Sequence, residues 1–176
     1  MKKYFSGAAV RLLLPVLVAG AALGTTSCSK DEPTTTAVQQ DFSAADDATI
    51  QKYLSDKTIT NAKKQTSGLY YVPVITNPNG AQAVAGRKVS VLYTGTLLDG
   101  TVFDASSQRN NTPITFTLGA GQVIKGWDEG IALMKKNEKS ILLIPSAMAY
   151  GSNPPPGSVI PANAVLRFEV ELTNIQ

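Results

Sequence analysis

Apolar and polar residues alternate over several short stretches of this chain, and each alternation marks a strand. Val89, Val91 and Tyr93 point one way while Ser90, Leu92 and Thr94 point the other, and the run closes on Asp99-Gly100, a turn pair. Leu166, Phe168, Val170 and Leu172 alternate with Arg167, Glu169 and Glu171, the pattern of a half-buried antiparallel strand. Leu69–Ile75, rich in Tyr and Val, runs into the turn sequence Asn77-Pro78-Asn79-Gly80. Thr115–Leu118 is a further short strand, and Ile141–Ile144, apolar at every position, reads as a central one. Two stretches carry the helical period instead. Trp127, Ile131 and Met134 predict a short helix from Gly126 to about Met134. Ile50, Tyr53 and Leu54 fall at i, i+3, i+4 behind Asp46 and Asp47, acids suited to a helix N-terminus, and predict another from Ala44 to about Ala62. Strands with one embedded helix make an α+β domain. No internal repeat occurs.

The first 27 residues follow neither period. Lys2, Lys3 and Arg11 give a positive start, Leu12–Leu14 and Val16–Ala22 form an apolar run broken at Pro15, and small residues lead from Gly24 to Cys28. The run is too short to cross a hydrocarbon layer of about 30 Å as a permanent helix. That order of parts is a secretory leader, with an ordinary N-terminal helix as the alternative. Cys28 is the only cysteine, so no internal disulfide can form. Thr25-Thr26-Ser27-Cys28 resembles the lipobox of bacterial lipoproteins, whose cysteine takes a diacylglyceryl group and becomes the new N-terminus; it departs from the pattern at Thr25, where Leu is usual. Cleavage elsewhere, leaving a free thiol, and no cleavage at all are the other readings. Acyl chains contribute about 0.8 kcal/mol per buried CH₂, so two or three of them anchor a protein firmly. Residues 28–43 then form a polar, Thr-rich tether. Ser29 resembles the second residue of lipoproteins sent to the outer membrane. Lys30-Asp31-Glu32 looks like the surface-export tag of Bacteroidetes lipoproteins or, equally, a solvated stretch of tether. The expected location is the bacterial cell envelope, lipid-anchored at the outer membrane, on its periplasmic or its surface face.

Setting the leader aside changes the charge. The whole chain has 16 Lys and Arg against 13 Asp and Glu; Lys2, Lys3 and Arg11 belong to the leader, which holds no acid, so 13 of each sign remain. A neutral domain lacks the footprint of a nucleic-acid binder, and no nucleic acid is expected as a partner. The chain has no histidine, which removes Ser-His-Asp and Cys-His nucleophilic sites and most zinc sites. No metal and no cofactor are expected. Gly119 and Gly121 lack the strand–loop–helix context of a dinucleotide loop. Asp128 and Glu129 are neighbours on the expected helix, do not face one point, and read as a solvated face. Any enzyme here works with few acid–base groups.

Four pieces carry a resemblance: "VLYTGTLLDGTVFDAS" at Val91–Ser106, "FTLGAGQVIKGWDEGIALMKKNEKSILLIP" at Phe116–Pro145, "AYGS" at Ala149–Ser152 and "VIPANAVLRFEVEL" at Val159–Leu172. In this order and spacing, from Gly86 to Gln176, the chain resembles the FKBP-type peptidyl-prolyl isomerases. The resemblance implies a twisted antiparallel β-sheet wrapped around one short α-helix, here an isomerase domain over residues 67–176 preceded by a short helical segment at 44–66. It also implies a shallow apolar pocket between sheet and helix. Carried over position by position, Tyr93 and Phe103 form one wall with Asp104 at the rim, and Tyr150 joins them as the fourth catalytic residue. The substrate-binding positions are Ile114, Val123, Ile124, Trp127 as the floor, Ile160 from the long loop before the last strand, and Phe168 from that strand. Trp127 and Phe168 belong to the core as much as to the pocket. The chain departs from the family in three places. One extra residue precedes Pro113, Ile114 stands where Phe is common, and the loop after Tyr150 carries Pro154, Pro155 and Pro156, with Pro155 near the usual place of a histidine. Those loops put substrate preference and macrolide affinity in question.

The implied activity is isomerisation of Xaa-Pro bonds in exported proteins, with proline-containing polypeptides as substrates, macrolides as candidate inhibitors, and the membrane as a partner only through the lipid anchor. Rotation about such a bond faces a barrier of about 20 kcal/mol because resonance stabilises the planar amide. Water helps by solvating the charge-separated planar form; an apolar pocket withdraws that help, and the planar amide loses more than the twisted one. The Tyr150 hydroxyl and the Ile124 N–H are donors to position the peptide, and Asp104 orients its neighbours or the carbonyl environment. A histidine-free chain can run this reaction. The alternative is a membrane-tethered peptide-binding module or chaperone that uses the same pocket with little turnover.

Overall fold

The computed structural model describes residues 41–176. The expected leader at 1–27, Cys28 and the tether as far as residue 40 lie outside the described residues. The elements run α1 Ser43–Asp56, β1 Lys63–Lys64, β2 Tyr70–Ile75, β3 Lys88–Thr96, β4 Val102–Ala105, β5 Ile114–Thr117, α2 Lys125–Ala132, β6 Lys139–Ile144 and β7 Leu166–Ile175. All pairings are antiparallel, in the order β1-β2-β6-β7-β3-β4, with β5 on the first half of β3 and β4 on its second half. This is the antiparallel sheet with one embedded helix that the alternations and the resemblance lead one to expect.

Period-2 alternation divides the apolar residues between two faces. Val89, Val91 and Tyr93 of β3 and Leu166, Phe168, Val170 and Leu172 of β7 form one core with Trp127 and Ile131 of α2. The helix lies very close to β6 because Gly126 and Gly130, four apart on one face, carry no side chains. A Cβ at Gly126 would overlap Ile144 Cγ2, and one at Gly130 would lie 2.6 Å from Leu142 Cδ1. The opposite face of the sheet is covered by α1, whose Ile50 and Leu54 pack with Tyr70, Val72, Leu143 and Val165. β6 is therefore apolar at successive positions: Leu142 and Ile144 face α2, Leu143 faces α1.

Four elements differ from the sequence expectation, α1, β1, β4 and α2. The helix expected to run to about Ala62, within a helical segment 44–66, stops at Asp56. Thr58 takes a left-handed φ of 54°, its N–H bonds Ser55 O at 3.0 Å, and the Ile59 N–H bonds Leu54 O at 2.8 Å. This is a Schellman stop with Thr in place of Gly, locked by the apolar pair Leu54 and Ile59. The chain released by that stop lays Lys63 and Lys64 against Tyr71 and Tyr70 as β1. β4 was not legible as a strand, and α2 ends two residues early at Ala132, with Met134 buried just beyond it.

Candidate functional site

Tyr93 follows Val89 and Val91 on the inner face of β3. Gly95 comes next, and the space a side chain would fill there is taken by two rings: a Cβ would lie 2.6 Å from Phe103 Cε2 and 2.8 Å from Phe168 Cε1. Phe103 reaches that place through a bulge. Gly95 pairs with Asp104 and Thr96 with Val102, so Phe103 is an extra residue with no partner on β3. Adjacent residues of a regular strand point to opposite faces; a bulge re-aims one of them. Phe103 and Asp104 accordingly line the same cavity.

A polar link holds this wall. The Tyr93 hydroxyl donates to Asp104 Oδ2 and accepts from Arg109 Nη2, while Arg109 Nη1 donates to Asp104 Oδ1 at 2.8 Å. Arg109 comes from the 3₁₀ turn Ser106–Arg109 that follows β4, and its guanidinium carbon lies 5.4 Å from the centre of the Tyr93 ring. The same turn is tied to β3, since the Ser106 hydroxyl accepts the Tyr93 N–H at 3.0 Å. Burial works to raise the Asp104 pKa, but the hydrogen bonds from Tyr93 and Arg109 and the charge of Arg109 outweigh it and hold the carboxyl below its ordinary value. A depressed carboxyl contributes stability above its unfolded pKa of about 3.9 and loses it as pH falls through the folded value. Asp104 is thus ionised at neutral pH. Burial pushes the hydroxyls of Tyr93 and Tyr150 above their usual range, helped at Tyr93 by the hydrogen bond to Asp104 and at Tyr150 by the charge of Asp104, so both stay protonated there.

The floor is aromatic. The Trp127 ring meets Tyr93 edge-on with centroids 4.8 Å apart and Phe168 edge-on at 5.3 Å, and Phe168 meets Phe103 edge-on at 5.4 Å. Such edge-to-face pairs use the positive ring edge against the negative face. The Trp127 Nε1 is buried, with no hydrogen-bond partner among the described residues.

Val123 and Ile124 lead into α2 from the Gly119–Gly121 turn. That turn is held by Asp128, whose carboxylate accepts the Gly119 N–H at 2.8 Å and the Gly121 N–H at 3.0 Å. Glu129 accepts the Ser67 hydroxyl at 2.7 Å. The pair read as a solvated face therefore ties loops to the helix, each acid on its own partner. On the far side stand Tyr150, Ile160 and the proline loop.

These elements enclose a cavity of about 370 Å³. Tyr93, Phe103, Asp104, Ile114, Val123, Ile124, Trp127, Tyr150, Ile160 and Phe168, the ten residues expected at the site, all line it. Gln122, Pro155 and Ser158 line it as well. Pro155 was legible as part of an overhanging loop; Gln122 and Ser158 gave no sequence signal. Arg109 lies outside the four motif pieces, and its bonds to two wall residues make it part of the site. Among the described residues, neither the Tyr150 hydroxyl nor the Ile124 N–H has a hydrogen-bond partner, so the lining offers two donors to an incoming carbonyl. No group of three or more His, Cys, Asp or Glu side chains comes together as a metal site among the described residues.

Comparison with known proteins agrees with this geometry. Residues 80–173 match the family described as FKBP-type peptidyl-prolyl cis-trans isomerase. The chain is 54% identical over 96 residues to an FK506-binding protein of Neisseria meningitidis serogroup C, covering 54% of this chain and 86% of that one. It is 45% identical over 109 residues to a peptidyl-prolyl cis-trans isomerase of Drosophila melanogaster, covering 62% of this chain and 99% of the relative. The crystal structure of FkpA from Escherichia coli superposes with a TM-score of 0.64 at 36% identity, over 76% of this chain and 61% of that one.

Proposed function

The chain belongs to the FKBP-type peptidyl-prolyl cis-trans isomerase family and is a peptidyl-prolyl cis-trans isomerase, and from that premise we propose that it turns Xaa-Pro bonds in the aromatic cavity, on exported proteins, as a lipid-anchored folding helper. The observation that carries the site is the convergence of five aromatic rings and two unengaged donors on one apolar hollow. The proline ring sits on Trp127 between Tyr93, Phe103 and Phe168. The preceding carbonyl turns near the Tyr150 hydroxyl and the Ile124 N–H, away from the water that favours its planar form. Both oxygens of Asp104 are engaged by Tyr93 and Arg109, so Asp104 acts by fixing the wall and by its charge rather than by moving a proton.

Uncatalysed isomerisation takes tens of seconds or longer, so a catalyst matters to chains that fold after export. A protease-coupled assay with an Ala-Leu-Pro-Phe peptide tests the site. We expect acceleration by the full-length protein that is flat from about pH 5 to about pH 9, because Asp104 titrates below that window and Tyr93 and Tyr150 above it. Peptide binding without acceleration would favour a non-catalytic peptide-binding module. A step in rate near neutrality would show that the active groups are other than these.

The relatives named FK506-binding proteins support a macrolide of that type as a second ligand of the cavity. Pro155 and Ser158 on the proline loop would tune its affinity. The leader pattern before Cys28 supports export and lipidation to the bacterial envelope, with the outer membrane favoured by Ser29. Cys28→Ala is expected to move the protein from the membrane to the soluble fraction on cell fractionation. Retention of that variant in membranes would defeat the anchor.

A further inference from the structure

Helix α1 lies outside the segment that matches the family, yet it reaches the loop that builds the far wall of the cavity. Asp46, in its first turn, is only 5% exposed. Its Oδ2 accepts both the backbone N–H of Ser146, at 2.8 Å, and the Ser146 hydroxyl, at 2.7 Å. A carboxylate withdrawn from water is costly unless it is hydrogen-bonded, and here two donors from one residue meet it.

Ser146 opens the 3₁₀ turn Ser146–Met148. Its own carbonyl accepts the N–H of Ala149 at 3.0 Å and of Gly151 at 2.9 Å, one on each side of Tyr150. The Gly151 carbonyl accepts the Asn163 N–H at 2.7 Å and closes the long loop at its base. Tyr150, and Ile160 within that loop, line the cavity. An unbroken series of short hydrogen bonds thus runs from α1 to the backbone that carries the Tyr150 hydroxyl.

We propose that Asp46 is a positioning residue for the isomerase reaction: through Ser146 it fixes the backbone on both sides of Tyr150 and so the place of that hydroxyl at the cavity. This rests on the cavity being the site of catalysis. Helix α1 then does more than cover the sheet; a segment outside the matched domain completes the geometry of the site. Small misplacements of a positioning group cost rate without unfolding the protein.

The test uses the full-length chain in the peptide assay, at a temperature where each variant is folded by circular dichroism. Asp46→Ala is expected to lower kcat/KM by about three- to tenfold. Asp46→Asn, whose amide oxygen can accept the same two bonds, should stay within about twofold of wild type. Leu54→Ala loosens the other end of α1 without touching Ser146; it should lower Tm yet leave kcat/KM within about twofold. Wild-type rates in Asp46→Ala, an Asn variant as slow as the Ala variant, or an equal loss in Leu54→Ala would each overturn the proposal. If Asp46→Ala does not fold, Ser146→Ala decides: a fall of about twofold or more supports it, and an unchanged rate overturns it. An inactive wild type would instead sink the cavity reading and this proposal with it.

Discussion

Phe103→Ala and Asp104→Ala are each expected to lower kcat/KM by about tenfold or more, which corresponds to about 1.4 kcal/mol of transition-state stabilisation, while circular dichroism stays that of the folded protein. Phe103 is half-buried and forms one wall of the cavity, edge-on to Phe168. Truncating it opens the hollow to water, and the solvent then stabilises the planar amide again. The core beneath keeps Trp127 and Phe168, which are 4% exposed each, so the fold survives. Asp104→Ala acts differently. It leaves the Tyr93 hydroxyl without its acceptor and Arg109 without its ion partner, so the wall loses its fixed geometry. The ion pair itself is surface-exposed enough that its loss costs little stability. Full activity in both variants would mean that catalysis occurs elsewhere.

A single methyl group at Gly95 is expected to do nearly the same damage as removing Phe103. In strands Ala is favoured over Gly by about 0.5–1 kcal/mol, so propensity alone predicts a gain in stability for Gly95→Ala. The contacts oppose it, with the added Cβ 2.6 Å from Phe103 Cε2 and 2.8 Å from Phe168 Cε1. Overpacking of this kind costs about 1–3 kcal/mol unless something yields. Phe168 is 4% exposed and packed edge-on against Trp127, so it has little room to yield; Phe103, half-exposed on its bulge, can swing outward. We therefore expect a fall in kcat/KM of about tenfold with a drop in Tm of only a few degrees. Undiminished turnover, measured alongside thermal melts, would show that the seat of the Phe103 ring is irrelevant to the reaction.

Much of the site is legible in the sequence alone. The four motif pieces hold nine of the expected cavity-lining positions and Ile114 lies between the first two pieces; all ten share one cavity. Where the reading fell short, long-range geometry was at work. Asp128 reads as a solvated acid because its partners, the N–H groups of Gly119 and Gly121, are nine and seven positions away and identifiable only once the turn folds back. Gln122 and Ser158 are polar residues in loops, indistinguishable by type from any others. Asp46 was visible as an acid suited to a helix start, but its partner Ser146 is 100 residues further along the chain.

By itself, the chain's own order of residues determined the strand alternations, the embedded helix, the absence of histidine chemistry and the family. The first three depend on period and composition, and the family on four motif pieces in their order and spacing, all of which the residues express before the chain folds. Only the tertiary structure decided that Phe103 and Asp104 face the same way, that α1 ends at Asp56, and that a helix beyond the matched segment grips the loop of Tyr150. Two of the three share one physical reason: the bulge and the carboxylate buried under a distant serine are stabilised by contacts that exist only after the sheet has closed. The helix stop is local in its hydrogen bonds, but Thr in the left-handed place usual for Gly gives the sequence no mark of it, and its apolar pair Leu54 and Ile59 is buried only against the sheet.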